Sequence, residues 1–254
     1  MNTLTRNGRS IERFIPQELM QMFYRNPNPA HKYAIRNGYD PFSFPIDDLV
    51  CYLPLWALKN NVGFRSVDAY KRVCTVTGAL WRPNGRFFDA TDDRIVQTTL
   101  LDVMPSAVTV SLWYQPLSGA DTQRFLCHKE NINIQDRFWF TLEGDNTYKL
   151  TTEGNDIALR YLTMGTGTVG TWYHLVFIYE AGVTLRGYQN LTEYTGDTAD
   201  TIRSGTFTNF VIGNHNLIYT YGCGGIIGEF AVWGKALSAI EVTHLNSCTK
   251  WRYS

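Results

Sequence analysis

A chain of 254 residues with no net formal charge and no block of basic side chains is a poor match for nucleic acid. Charged residues make up only 18% and aromatic residues 14%, a balance that points to large sheet surfaces rather than solvated helices. No apolar run reaches the roughly 18 residues that a membrane-spanning helix needs, and none of the five cysteines lies in a C-x-x-C pair of the kind that holds zinc.

Residues 1–45 stand apart. They hold Pro16, Pro27, Pro29, Pro41 and Pro45, five of the nine prolines. Leu19, Met20 and Phe23 follow Pro16 on one helical face, so a short helix is expected over Pro16 to Tyr24. Arg25-Asn26-Pro27-Asn28-Pro29 fits neither helix nor central strand. We read 1–45 as an extended arm that lies on its own domain or on a partner. The start of the chain is polar and lacks the apolar core of a secretory signal, so none is expected. The scattered Cys51, Cys74, Cys127, Cys223 and Cys248 are expected as buried, reduced thiols.

A single domain is expected over 46–254. Asp48 to Trp56 opens it as a strand ended by proline. Cys74–Thr77, Gly85–Asp89 and Asp92–Val96 follow as short strands. From Ala107 to Tyr114, Val108, Val110, Leu112 and Tyr114 share one face, and Thr109, Ser111 and Trp113 the other. Further strands are expected at Gln123–His128, Arg137–Leu142, Thr147–Thr152, Ile157–Met164, Trp172–Tyr179, Thr184–Gln189, Phe210–Gly213 and Gly225–Trp233. Trp172–Tyr179 is apolar on both faces and so is central. Glu180-Ala181-Gly182 then reads as a hairpin connection. Ser238 is a helix cap, completed by Glu241 three residues on, for a helix running to about Leu245. About a dozen short strands at this spacing form an all-β fold of two antiparallel sheets.

In order, these segments resemble the concanavalin A-like superfamily, in its laminin G-like or pentraxin-like branch. Asp48 to Leu55 is similar to that family's opening strand. Gly85-Arg86-Phe87-Phe88-Asp89-Ala90-Thr91-Asp92-Asp93 is similar to its acidic turn. Val108 to Tyr114, Gly170 to Val176, and Gly225 to Ser238 are similar to later strands and the closing helix. The resemblance covers roughly residues 46–248. It implies a jelly-roll sandwich, here with an N-terminal arm and one short C-terminal helix, and says little about the task.

Hydrolases on this fold carry paired carboxylates on one strand. Glu143-Gly144-Asp145 is the nearest match, but Tyr148 replaces the second Glu, and the segment reads as a hairpin turn. Glu153 and Asp156 again flank a glycine. His174 is expected as a core histidine with one hydrogen bond, and His128 and His215 carry no assigned role. Asp92 and Asp93 read first as turn residues; the resemblance makes calcium the ion to look for, with Asp89, Asp92 and Asp93 as its ligands. Gly228 stands where relatives often place an Asp, so a ligand is expected to be missing. For a glycan, Trp81, Asn214, His215, Asn216, Tyr219 and Tyr221 are the candidate contacts, while Trp139 is expected to pack inward. Asn190-Leu191-Thr192 is a fortuitous sequon in a chain without a signal.

Three readings follow. The first is a non-catalytic module for assembly, a decoration or fibre protein of a viral particle or cell-surface assembly, whose arm grips other subunits in a homo-oligomer. The second is a carbohydrate-binding or adhesion module. The third is a divergent glycoside hydrolase acting through Glu143.

Overall fold

Strands buried on both faces need cover on both sides, and two of them, Ala107–Pro116 and Tyr173–Glu180, lie side by side within one sheet. The computed structural model describes residues 4–6, 9–11, 45, 47–68, 70–97, 106–117, 123–130, 136–202, 207–214 and 221–253. The expected helix at Pro16 to Tyr24 lies outside these residues. Within the arm, β1 (Leu4–Arg6) and β2 (Arg9–Ile11) pair as a small hairpin.

The sandwich begins with β3 (Leu49–Pro54), β4 (Gly63–Arg65), β5 (Val73–Thr77), β6 (Leu80–Arg82), β7 (Gly85–Asp89) and β8 (Arg94–Gln97). Next come β9 (Ala107–Pro116), β10 (Gln123–Glu130), β11 (Asp136–Leu142), β12 (Thr147–Glu153), β13 (Leu159–Thr166) and β14 (Tyr173–Glu180). It closes with β15 (Thr184–Gln189), β16 (Thr192–Thr198), β17 (Phe207–Ile212), β18 (Gly224–Trp233), α1 (Ala239–Thr249) and a 3-10 turn, Lys250–Arg252. The first sheet runs β16-β15-β14-β9-β18-β7-β6, with β3 also paired to β18. The second runs β13-β12-β11-β10-β17-β8-β5-β4. All named pairs are antiparallel, as expected for this sandwich.

Alternation decides which side chain goes where. Val108, Val110, Leu112 and Tyr114 of β9, with Leu175, Phe177 and Tyr179 of β14, enter the core between the sheets. There they meet Phe138, Phe140, Tyr148 and Leu150 of the second sheet. Phe140 stacks on Phe177 with centroids 3.9 Å apart. Val176, Ile178, Ala231 and Trp233 point the other way and are covered by Leu237, Val242 and Leu245. Polar residues on this outer face fasten the cover. Thr109 Oγ1 donates to Lys235 O and accepts from Leu237 N, and Trp113 Nε1 donates to Thr249 Oγ1.

The helix starts as the sequence demands. Ser238 Oγ accepts from Glu241 N, and the Glu241 carboxylate accepts from Ser238 N. It ends at Thr249 rather than near Leu245, because Asn246 and Thr249 are buried against the sheet and prolong it. Besides β1 and β2, three strands of the sandwich were not foreseen. β4 and β6 are too short to show a period, and β16 is polar on both faces, held by its pairing to β15 and by Tyr161 N donating to Asp197 Oδ2. Ile157, expected in a strand, instead sits in a turn at φ 65. Cys51, Cys74, Cys223 and Cys248 are buried free thiols. Among the described residues no helix is long and apolar enough to cross a membrane.

Candidate functional site

The turn from β7 to β8 is built by its own acids. Asp89 Oδ1 accepts from Thr91 N at 2.8 Å, and Asp93 Oδ2 accepts from Asp89 N at 2.9 Å. Asp93 is 5% exposed, and burial pushes its carboxyl up to about 6. The Asp89 N–H works against that rise, while the Asp89 and Asp92 charges add to it. Gly78, at φ 72, makes room: a Cβ there would stand 1.7 Å from Asp93 Oδ1.

Carboxylate oxygens of Asp89, Asp92 and Asp93 lie within 4.8 Å of one another. Hard oxygens this close suit a hard divalent cation, with carbonyls and water completing a shell of about six to eight oxygens. One sequence expectation is corrected. Gly228 does not front this turn, because Gly224 is the residue of β18 paired with Asp89. Gly228 instead lies against the Tyr253 ring, where a Cβ would come within 2.3 Å.

A bound cation would hold Asp93 ionised. Calcium at about 100 times its Kd is therefore expected to raise Tm by several degrees at pH 7.5. The gain should shrink at pH 5, where Asp93 keeps its proton, and vanish in Asp93→Asn. A melting curve indifferent to calcium at both pH values removes the ion from this turn.

The same turn is clamped by the segment between β17 and β18. Asn214 is fully buried, and its Nδ2 donates to Thr91 O at 2.9 Å. Ala90 N donates to Cys223 O, and Cys223 N donates to Gly213 O. Gly222 allows the approach, since a Cβ there would fall 2.4 Å from the Ala90 carbonyl carbon. Asn214 is thus a brace rather than a ligand contact, a correction to the sequence reading. Tyr221, beside it, is half-buried. His215, Asn216 and Tyr219 lie outside the described residues, as do the side chains of Cys127 and His128. Gly78, Thr91 and Cys223 were missed. The glycines around Cys223 were the one signal that backbone passes close there.

Trp81 belongs to a different cluster. Its Nε1 donates to Trp56 O at 2.8 Å, its backbone N–H donates to Asn61 Oδ1, and Lys59 Nζ lies 5.0 Å from its ring. Beside it Arg86, fully buried, donates to Leu58 O, Asn60 O, Ala79 O and Asn61 Oδ1. Burial lowers Arg86 to about 10. Trp81 therefore helps to hold residues 56–61 and does not join Asn214 in one site. Trp139 is half-buried on β11.

The carboxylates considered for hydrolysis are engaged in their own turns. Thr141 Oγ1 donates to Glu143, and Asp145 Oδ1 accepts from Thr147 N and Oγ1. Asp156 accepts from Ala158 N and pairs with Arg160 at 2.7 Å, while Glu153 is buried. His174 is 1% exposed and makes two side-chain hydrogen bonds, not one: Nε2 to Ser111 Oγ at 2.9 Å and Nδ1 to Asn246 Nδ2 at 3.1 Å. Asn246 offers an N–H, so Nδ1 accepts and Nε2 carries the proton. Unforeseen was Glu229. It is buried with Arg252 as its ion-pair partner, and Trp56 Nε1 donates to it at 2.9 Å.

Solved structures share this architecture at low identity. A Trypanosoma rangeli sialidase in complex with sialic acid superposes with a TM-score of 0.65 and 15% identity, over 81% of this chain and 34% of that one. The receptor binding domain of a botulinum neurotoxin C/D mosaic serotype gives 0.60 and 11%, over 79% of this chain and 51% of that one. The binding domain of botulinum neurotoxin serotype D gives 0.59 and 11%, over 78% and 51%. The chain thus spans about a third of the sialidase and half of the toxin domains. Curated protein sequences give no match. The family model described as "Concanavalin A-like lectin/glucanases superfamily" matches residues 89–243, from the acidic turn into α1. The chain belongs to that superfamily.

Proposed function

We propose that the chain is a non-catalytic recognition module whose ligand is a glycan, taken at the end of the sandwich where the acidic turn meets the segment between β17 and β18. The clamp itself carries this reading. Asn214, Cys223 and Gly222 fix both ends of a polar, aromatic stretch, His215 to Tyr221, against Thr91 and Ala90. Recognition residues on a connection with anchored ends lose little entropy on binding. A sialidase solved with sialic acid, of which this chain matches about a third, makes sialylated glycans the first class to try. The self-engaged acids Glu143, Asp145 and Asp156 support a role without hydrolysis.

Glycan-array binding that falls in Asn216→Ala and Tyr219→Ala but persists in Trp81→Ala is the expected result. An array without signal, or turnover of a glycoside that dies with Glu143→Gln, overturns it.

A second reading rests on the arm. Trp233 Nε1 donates to Pro45 O at 3.0 Å, which ties Pro45 to the sandwich. A proline-rich segment ahead of a tied Pro45 suits a subunit of a larger assembly, such as a viral decoration or fibre protein. Deleting residues 1–45 should then reduce the assembled size in solution. Unchanged size counts against it.

A further inference from the structure

At one edge of the first sheet the outer face carries an apolar row that opens to solvent at the edge strand: Leu80 is exposed, Phe87 half-buried and Ile226 buried. β6 is the edge strand, and the register sets Leu80 beside Phe87 and Phe87 beside Ile226. Leu80 is 48% exposed. Leu117, just beyond β9 on the same side, is 42% exposed. Leu117 lies beside Gly224, two strands in from β6, so the open part of the face is the Leu80–Phe87 pair with Arg82 laid against it.

Charges flank this row in a fixed order along β7. At one end Arg82, paired with Gly85, holds its guanidinium 5.6 Å from the Phe87 ring. At the other, two residues past Phe87 and on the same side, is exposed Asp89, followed by exposed Asp92. Cation, apolar middle and anions lie in line. That order is complementary to the same order reversed, which is what a two-fold axis supplies.

We propose that this face docks on the same face of a second copy of the chain, about a two-fold axis through the Leu80–Phe87 pair. Leu80 and Phe87 of each copy then cover their counterparts. Arg82 of each copy meets Asp89 and Asp92 of the other, and the edge strand β6 is shielded. The contact shares Asp89 and Asp92 with the acidic turn but uses neither Asn216, Tyr219 nor the arm, so its failure, read by Leu80→Arg, is separable from theirs.

Sedimentation velocity of the full chain, from low to high micromolar concentration, tests it. A concentration-dependent dimer is expected, and Leu80→Arg should weaken it by about tenfold or more. Arg82→Glu and Asp92→Arg should each weaken the dimer, and their combination should restore it, because the two charges face each other across the axis. The chain lacking residues 1–45 should dimerise as the full chain does. A monomer throughout, a dimer indifferent to Leu80→Arg, or one that the arm deletion alone dissolves overturns the proposal.

Discussion

Glu229→Gln should lower the unfolding free energy by about 3–5 kcal/mol at pH 7, the cost of leaving a buried charge without its partner. Glu229 and Arg252 are both nearly closed to solvent, at 5% and 8% side-chain exposure. Burial pushes the Glu229 carboxyl up, while Arg252, Trp56 and Tyr52 act against that rise. Arg252 is sandwiched by aromatic rings, its guanidinium carbon 4.9 Å from the Trp56 centroid and 4.4 Å from that of Trp251. Glutamine keeps an acceptor for Trp56 Nε1 and nearly the same volume, so the substitution isolates the charge. Adding Arg252→Met should recover much of the loss, since an apolar pair in such a site is often no worse than an ionic one. Urea unfolding of the single and double variants checks both statements. A single variant within about 1 kcal/mol of the parent would show that water still reaches Arg252.

That ion pair also shows what could be read before any coordinates. Glu229 sits in Gly225 to Trp233, a strand recognisable by its apolar run, but its partner is on the last turn, where nothing in the sequence ties the two. β14 was legible because both its faces are apolar, and β9 because its apolar side chains alternate with Thr109, Ser111 and Trp113. The helix start was legible because Ser238 and Glu241 are spaced as a capping box. Its end was not, because Asn246 and Thr249 look like solvent-side residues and in fact bond His174 and Trp113. The acidic turn was visible in Asp89, Asp92 and Asp93. The role of Asn214 was not, because its acceptor, Thr91 O, lies 123 residues away. The hydrogen bond of Trp81 was hidden for a similar reason: an indole N–H that looks available is used by Trp56 O.

His174 should make the protein sensitive to acid. In the unfolded chain an imidazole takes its proton near pH 6.5; folded, burial holds His174 down to about 3. Between those values the unfolded chain binds more protons, so stability is complete above about pH 6.5 and falls as pH drops toward 3. The full loss is at most about 5 kcal/mol. Burial is the cause, because the imidazolium would lose its water. A second ring proton would point from Nδ1 at the Asn246 amide N–H, with Trp113 stacked at 5.0 Å. Neither can accept it. Other groups act in the same range: Asp93, raised to about 6, favours the folded state as pH falls below that value, and Glu241, lowered to about 2, disfavours it. Both are cancelled by comparing variants. His174→Gln should cost about 1–3 kcal/mol at pH 7 through lost hydrogen bonds to Ser111 and Asn246. Its urea midpoint should then fall less than the parent's between pH 7 and pH 4. Parallel midpoint curves for the two proteins would mean that His174 does not titrate with unfolding.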